Sequence, residues 1–270
     1  MFGISWNLNN QTVRQFLIFF QLLRRDLYIV LHILPKKIIN TVVWSSAMIF
    51  ANHYIMPLLG LPAAYGKFML VGAITVQMLF QSMADVAVRV SDLVGDREIL
   101  FALGLPIPAW LVCARYATTT MIQGIMSSFF ALPAAVLIMW GDFSFPYASL
   151  PKIALMVFSQ GMFFGAFSLF MTAGTKNMPD YENAWMRIAN PLLILGCYTF
   201  SWSVLKKAIP FFAPLFLLNP FTYLMEGIRA SVLGQFTFIN YWTCELSILM
   251  FTLFFAVQGF YRLKKRLDFV

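Results

Sequence analysis

Long apolar stretches recur along the whole chain and are separated by short polar segments. Hydrophobic residues make up 60% of the 270 residues, the mean hydropathy is +0.76, and only 11% of the residues are charged. A soluble domain of this size has too little interior to bury so much apolar surface, so lipid has to surround much of it. The sequence therefore predicts an all-α integral membrane protein built as one helical bundle.

Six segments are apolar and long enough to be transmembrane helices. They lie at residues 38–57, 68–88, 109–140, 152–173, 188–205 and 242–261. Fourteen lysine and arginine residues flank these segments on one side, and five flank them on the other. Because cytoplasmic loops carry the excess of basic residues, both termini are predicted to be cytoplasmic. The net charge of +8 is then explained by contact with lipid headgroups, and no nucleic acid is expected.

The first apolar-rich stretch, residues 12–34, is predicted to lie along the membrane surface. Three adjacent charges near its middle would make a crossing costly. Polar residues recur on one helical face at spacings of 7, 4 and 7, at Arg14, Gln21, Arg25 and His32. Pro35 is predicted to end this helix, so residues 1–37 form an interfacial amphipathic helix and residues 38–270 form the six-span unit. The polar start of the chain predicts no removable signal peptide.

Residues 91–108 form the polar segment between the second and third predicted spans. Its acidic residues come first, as suits a helix N-terminus, a short apolar run follows, and a glycine with two prolines then stops the run. The residues of interest are Asp96, Arg97, Glu98, Phe101 and Leu103. Two interpretations stay open from these residues alone. The segment is either a short helix that offers its apolar side chains to a soluble partner, or a solvated loop that only turns the chain.

Residues 219–234 are predicted to form a short external helix between the fifth and sixth spans. Asn219 followed by Pro220 is typical of an N-cap and a first helical residue, and a glycine follows the helix, where a left-handed residue is expected. Glu226 and Arg229 are three residues apart and are predicted to pair on one face. The helix is either re-entrant or interfacial, and the plainer alternative is that it only packs the bundle.

These two segments resemble segments of the permeases of type 2 ABC exporters, the ABC-2 type family. The motif from Asn219 to Arg229, which includes Tyr223 and Glu226, is similar to the family pattern N-P-(apolar)-T-Y-(apolar)-(apolar)-E-(small)-(apolar)-R on the external side. Residues 95–108 are similar to the family's cytoplasmic coupling helix. The chain departs from the family at residues 200–203, where a break with small residues and proline often follows the fifth span.

The resemblance implies the membrane subunit of an ATP-driven exporter in the bacterial inner membrane. Two copies of the permease, a homodimer, would enclose a path, and two separate ATP-binding subunits would dock on residues 96–103. The sequence has no G-x-x-x-x-G-K-[ST] loop, so ATP is expected on the partner, and this chain is expected to be neither an enzyme nor a cofactor carrier. The implied substrates are a lipid-linked glycan, a lipid or a hydrophobic drug.

Two other functions are weighed against export: an intramembrane lipid-modifying enzyme and a non-transporting membrane assembly protein. Such an enzyme needs carboxylates or histidines clustered on one cavity, and no predicted span carries such a cluster. His32 and His53 are too few and too separated for a metal site. Packing is predicted for the three cysteines, Cys113, Cys197 and Cys244. Structural anchoring is predicted for the charged residues near span ends, Asp85, Arg89, Arg115 and Glu245.

Overall fold

The computed structural model describes residues 11–62, 64–95, 104 and 107–267, and in these ranges the chain is all-α. The long helices are α1 (Gln11–Phe50), α3 (Tyr65–Val94), α4 (Ala109–Phe129), α6 (Leu150–Gly174) and α12 (Tyr241–Leu267). The shorter helices are α2 (Met56–Leu58), α5 (Ala131–Ile138), α7 (Met178–Ala184), α8 (Asn190–Leu195), α9 (Trp202–Ala208), α10 (Ala213–Phe216) and α11 (Pro220–Val232). Two π-helical turns, Ala51–Ile55 and Trp185–Ala189, join α1 to α2 and α7 to α8.

Four helical segments in the described part of the chain are long and apolar enough to cross a membrane. They are Tyr65–Leu93, Ala109–Ile138, Leu150–Gly174 and Tyr241–Arg266. These segments match the second, third, fourth and sixth predicted spans, so the prediction of an all-α protein with several apolar helices is confirmed. The first and fifth predicted spans are not among the four.

Helix α1 runs without a break through the predicted boundary at Pro35. The prediction that Pro35 ends an interfacial helix is therefore wrong. A proline removes one backbone hydrogen bond, and packing on both sides of it can hold the helix together. On the N-terminal side, the Oδ2 atom of Asp26 lies 2.8 Å from Nε of Arg115 in α4. The sequence pattern of α1 could not show this contact with another helix.

The fifth predicted span, residues 188–205, differs in its bounds from the helical run that the structure has in this part of the chain. The helical run extends from the start of α7 to the end of α8 at Leu195, and an irregular turn follows in which Cys197 has a φ of 61°. A Cβ atom on Gly196 would lie 2.3 Å from the Cβ of Phe221, so α11 passes directly beside this turn. The apolar stretch thus stops being helical where α11 occupies the space ahead of it.

Helix α6 is the centre of the bundle and packs mainly against α12, α4 and α3. Gly165 allows the close approach to α4, because a Cβ atom there would lie 2.4 Å from the backbone oxygen of Ala117. Stacked and edge-to-face aromatic rings fill the core between α6, α11 and α12, from Phe163, Phe167, Phe221 and Phe255. Close backbone contact and interdigitating rings together fix the helix positions.

The two ends of the bundle can be told apart by their contacts. The proximal end, where α3, α6 and α12 finish, is joined by Arg266, whose Nη1 donates to the backbone oxygen of Thr172 at 2.8 Å. The distal end, where α3, α6 and α12 start, is joined by the backbone N–H of Ser149, which donates to the oxygen of Ser231 at 3.0 Å. Helix α11 lies at the distal end.

Candidate functional site

Helix α11 is the structural counterpart of the predicted external helix. The Oδ1 atom of Asn219 accepts a hydrogen bond from the N–H of Phe221 at 3.0 Å, and Pro220 occupies the first helical position. Gly234 follows the helix with a φ of +95°, the left-handed conformation that favours glycine. The structure thus has a helix at these residues, with Asn219 as its N-cap and Gly234 just beyond its end.

Helix α11 is almost completely buried although it has only 13 residues. Of its 13 residues, all but Tyr223 are buried. The side chain of Tyr223 is partly exposed and its ring packs near that of Phe251 in α12, with ring centroids 6.2 Å apart. A helix buried in this way is part of the core at the distal end. Its polar side chains therefore need hydrogen-bond partners inside the protein.

Glu226 holds two distal segments together through its carboxylate. Its side chain is 0% exposed. Oε1 accepts a hydrogen bond from the N–H of Trp202 at 3.0 Å, and Oε2 accepts one from the N–H of Ile239 at 3.1 Å. Burial raises the pKa of the Glu226 carboxyl, while the Trp202 N–H and the positive charge of Arg229 act to lower it. The carboxylate therefore joins the start of α9 to the segment just before α12.

Arg229 holds the turn after α8 and the start of α3. It is 0% exposed, and its guanidinium donates to the backbone oxygens of Cys197 and Tyr198. The same group lies over the ring of Phe68, 3.6 Å from the centroid. A Cβ atom on Gly72 would lie 2.8 Å from Nη2 of Arg229, so the glycine leaves room for the guanidinium.

Glu226 and Arg229 make no direct side-chain contact with each other. Within the described chain, no hydrogen bond or close ion pair joins the two side chains, because each uses its polar atoms on backbone groups of neighbouring segments. Their opposite charges still attract each other through space. The helical spacing of three residues indicated proximity correctly, but the backbone partners come from distant parts of the chain.

The predicted coupling residues, Asp96, Arg97, Glu98, Phe101 and Leu103, lie outside the described residues. Gly95 after α3 and Ile107 before α4 are the described residues that flank this segment, and Gly104 is the described residue within it. Ile107 is buried and packs near Ile18 and Leu22 of α1. The segment that contains the coupling residues therefore starts and finishes at the proximal end, whereas the motif of α11 lies at the distal end.

The charged residues near span ends have partners within the bundle. Arg89 donates to Oγ of Ser168 at 2.9 Å and to the backbone oxygen of Tyr116 at 2.8 Å, which links α3, α4 and α6. Oδ1 of Asp85 accepts a hydrogen bond from Gln81 at 2.7 Å and not from Arg89. On α12, Glu245 accepts a hydrogen bond from Ser159 of α6.

Sequence reasoning missed a polar groove between α1 and α3. Its α1 wall consists of residues at positions i, i+3, i+4 and i+7, which are Lys37, Asn40, Thr41 and Trp44. This spacing is a signal that the sequence does contain, because it places four residues on one helical face.

A scan against protein-family models, a search of curated proteins and a search of solved structures each find no match for this chain. Among the described residues, no group of three or more histidine, cysteine, aspartate and glutamate side chains is placed to hold a metal ion.

Proposed function

We propose that this chain is the membrane-spanning permease subunit of an ATP-driven exporter of the ABC-2 type. It moves a lipid-linked glycan, a lipid or a hydrophobic drug outward across a bacterial inner membrane. The observation that carries the proposal is α11: a capped and buried helix that bears the motif from Asn219 to Arg229 just before the last long helix. Its charged residues hold the distal turns in one arrangement, which suits a closed outer end of a transport path.

The proposal includes six membrane crossings. Four of the crossings are the apolar helices. The two others are the distal part of α1 and the run from Met178 to Leu195. That run of α7, π turn and α8 is about 27 Å long at a rise of 1.5 Å per residue, close to the ~30 Å of the hydrocarbon layer. In this arrangement both termini are cytoplasmic, and the proximal end faces the cytoplasm.

The energy for export has to come from a second protein in this proposal. Two copies of the chain form a homodimer around the path, and two ATP-binding subunits dock on residues 96–103 at the proximal end. The support for this docking point is the combination of an acidic start with the apolar side chains Phe101 and Leu103, in a segment that begins and ends at the proximal end.

The docking point is tested by co-purification with the ATP-binding subunit that the proposal requires. We expect Glu98→Arg and Phe101→Asp each to abolish co-purification, since the first reverses a charge and the second places a charge in an apolar contact. Lys265→Glu is the matched control, because it reverses an exposed charge on the last turn of α12 at the same end. Retention of the ATPase by both test variants would show that the docking point is misassigned.

Reconstitution separates export from the two other functions. Vesicles that contain this chain and its ATPase should move substrate only when ATP is supplied, and the chain alone should move none. A lipid-modifying enzyme would instead change its substrate chemically without the ATPase, and an assembly protein would do neither.

A further inference from the structure

An apolar trough lies on the surface of the bundle, between α4 and α12 and above α6. Helices α4 and α12 each pack along α6 but make few contacts with each other. The floor of the trough is the α6 face of Met162, Ala166 and Leu169, at positions i, i+4 and i+7, and its volume is about 320 Å³. All three helices are long and apolar enough to cross a membrane, so the trough lies at the depth of the lipid tails.

The trough has the width of one hydrocarbon chain. Small side chains such as Ala114 on α4 and Ala256 on α12 form its walls. The hydroxyl of Thr252 donates to the backbone oxygen of Ile248 at 2.7 Å, so this polar wall atom already has its partner. Over the ~12 Å of helix axis from Thr252 to Phe260, the volume corresponds to a cross-section of roughly 27 Å², about a third of that of an α-helix. The trough therefore fits an acyl chain and is too narrow for another helix.

The proximal end of the trough carries the residues of a headgroup region. Trp110 lines the trough at the start of α4 and is 51% exposed, as is typical of a tryptophan at the membrane–water interface. Lys264 follows Ala256 and Phe260 at the same four-residue spacing, so it continues their side of α12 by one turn. The side chain of Lys264 is exposed, and no ion pair among the described residues includes it. An ammonium group thus lies just beyond the apolar trough, where a lipid phosphate is expected.

The charges around Lys264 favour a headgroup with a net negative charge. Residues 261–267 include four basic side chains and no acidic one. Two of the four have partners in the bundle: Arg266 donates to backbone oxygens after α6, and the guanidinium of Arg262 lies over a phenylalanine ring of α6, 4.8 Å from its centroid. Lys264 remains as the basic residue on the trough side. Such a lysine attracts an anionic lipid, whereas the amine of a zwitterionic lipid offsets part of the attraction.

We propose that the trough is a binding site for an anionic phospholipid, with one acyl chain between α4 and α12 and the phosphate at Lys264. The width of the trough selects a single hydrocarbon chain, and the lysine selects the headgroup. The site goes beyond the proposed export function and does not depend on it, because it requires only that α4, α6 and α12 cross a membrane. A second copy of the chain seated on this face would instead exclude lipid from the trough.

Quenching of Trp110 fluorescence measures the occupant of the trough. The full-length protein is placed in phosphatidylcholine nanodiscs that contain a small fraction of brominated phosphatidylglycerol or brominated phosphatidylcholine, with the bromine atoms near the glycerol end of the acyl chain. The difference between the wild-type protein and Trp110→Phe isolates the signal of Trp110. At equal mole fraction we expect phosphatidylglycerol to quench about fivefold more efficiently, the preference that one lysine gives near an anionic headgroup. Equal quenching by the two lipids would overturn the proposal.

Two charge reversals on the last turn of α12 test the headgroup contact. We expect Lys264→Glu to remove the preference for phosphatidylglycerol. Lys265→Glu changes the net charge equally at an exposed residue, but it lies nine positions after Ala256 and therefore half a turn away from the trough side. This control should retain the preference. If the two variants behave alike, whether both keep the preference or both lose it, Lys264 does not hold the headgroup and the proposal is wrong.

Two phenylalanine substitutions test the acyl-chain site. Ala256→Phe fills the trough, whereas Val257→Phe adds the same ring at a position that is 56% exposed and does not line it. We expect the first to abolish the excess quenching by phosphatidylglycerol and the second to retain it. Thermal unfolding identifies a variant that fails to fold, and Ala114→Leu on the other wall then replaces Ala256→Phe. Excess quenching that persists in a filled trough, or a Trp110 that neither lipid quenches, would overturn the proposal.

Discussion

Two fully buried charged residues, Glu226 and Arg229, each bind backbone groups of segments that lie far away in sequence. Glu226 accepts hydrogen bonds on both oxygens, and Arg229 donates to the turn that contains Cys197. A buried charge is tolerable only when its hydrogen bonds are satisfied. Each residue therefore holds more than one chain segment in place at the distal end. Its replacement should destabilise several of these segments together.

We expect Glu226→Gln to lower the free energy of unfolding by about 2–4 kcal/mol, although the side chain keeps its size. The amide NH₂ would face one of the two backbone N–H donors, and the charge of Arg229 would lose its nearby counter-charge. Thermal unfolding of the detergent-purified protein, followed by tryptophan fluorescence, measures the effect. Glu182→Gln makes the same chemical change at an exposed site and should leave Tm unchanged. Equal Tm values for the two variants would contradict this account.

The ion pair between Asp26 and Arg115 gives a second prediction. The side chain of Arg115 is 2% exposed, so Asp26→Asn leaves a buried charge without its partner. We expect a loss of about 3–5 kcal/mol from this single change. Replacing both residues, as Asp26→Asn with Arg115→Met, should cost less than the single change, because no buried charge remains. Chemical unfolding in detergent compares the two, and a larger loss in the double variant would show that the charge is not what destabilises the single one.

At the scale of the helices, close packing of α6 on α4 depends on Gly165. We expect Gly165→Ala to lower Tm or prevent folding, since the added Cβ would lie 2.4 Å from a backbone oxygen that cannot move independently. Gly174→Ala is the matched control at the end of the same helix, where no atom lies within 4 Å of the added Cβ. Expression level and Tm are the measurements. A Gly165→Ala variant as stable as the control would mean that the two helices are further apart.

The sequence contains enough information to predict α11 because its signals are local. Asn219, Pro220 and Gly234 each act within one turn of the helix end, so their chemistry can be read without knowing the fold. The partners of Glu226 are N–H groups that lie 24 and 13 residues away along the chain. Every non-proline residue carries such a group, so no sequence pattern marks the ones that are used.

The two errors in helix boundaries have the same physical origin. Pro35 weakens a helix by a known amount, but contacts between α1 and α4 decide whether the helix continues. The apolar stretch after Leu195 favours a span, but the crossing of α11 at Gly196 takes the space. In both places a tertiary contact overrides the local preference. The polar groove was missed for a related reason, because its two walls belong to helices whose pairing the sequence does not state.

At the scale of the whole molecule, α1 begins and α12 ends at the proximal end. The proposed orientation predicts that green fluorescent protein fused to either terminus will fluoresce in intact bacteria. Alkaline phosphatase inserted after Asp142, which is exposed beyond α5, should be active because the proposed orientation puts that segment outside. Active phosphatase at a terminus, or an inactive insertion after Asp142, would reverse the orientation and with it the assignment of the proximal end.

The continuity of α1 has a mechanical consequence. Its 40 residues form a rod about 60 Å long, which is twice the thickness of the hydrocarbon layer. One part of the rod is clamped to α4 at Asp26, and another part carries Lys37 and Trp44 at the groove. Pro35, the point of least bending resistance, lies between the clamp and the groove. A bend at Pro35 would change the width of the groove while the contact between Asp26 and Arg115 stayed in place, so α1 would transmit force from the proximal end to the groove.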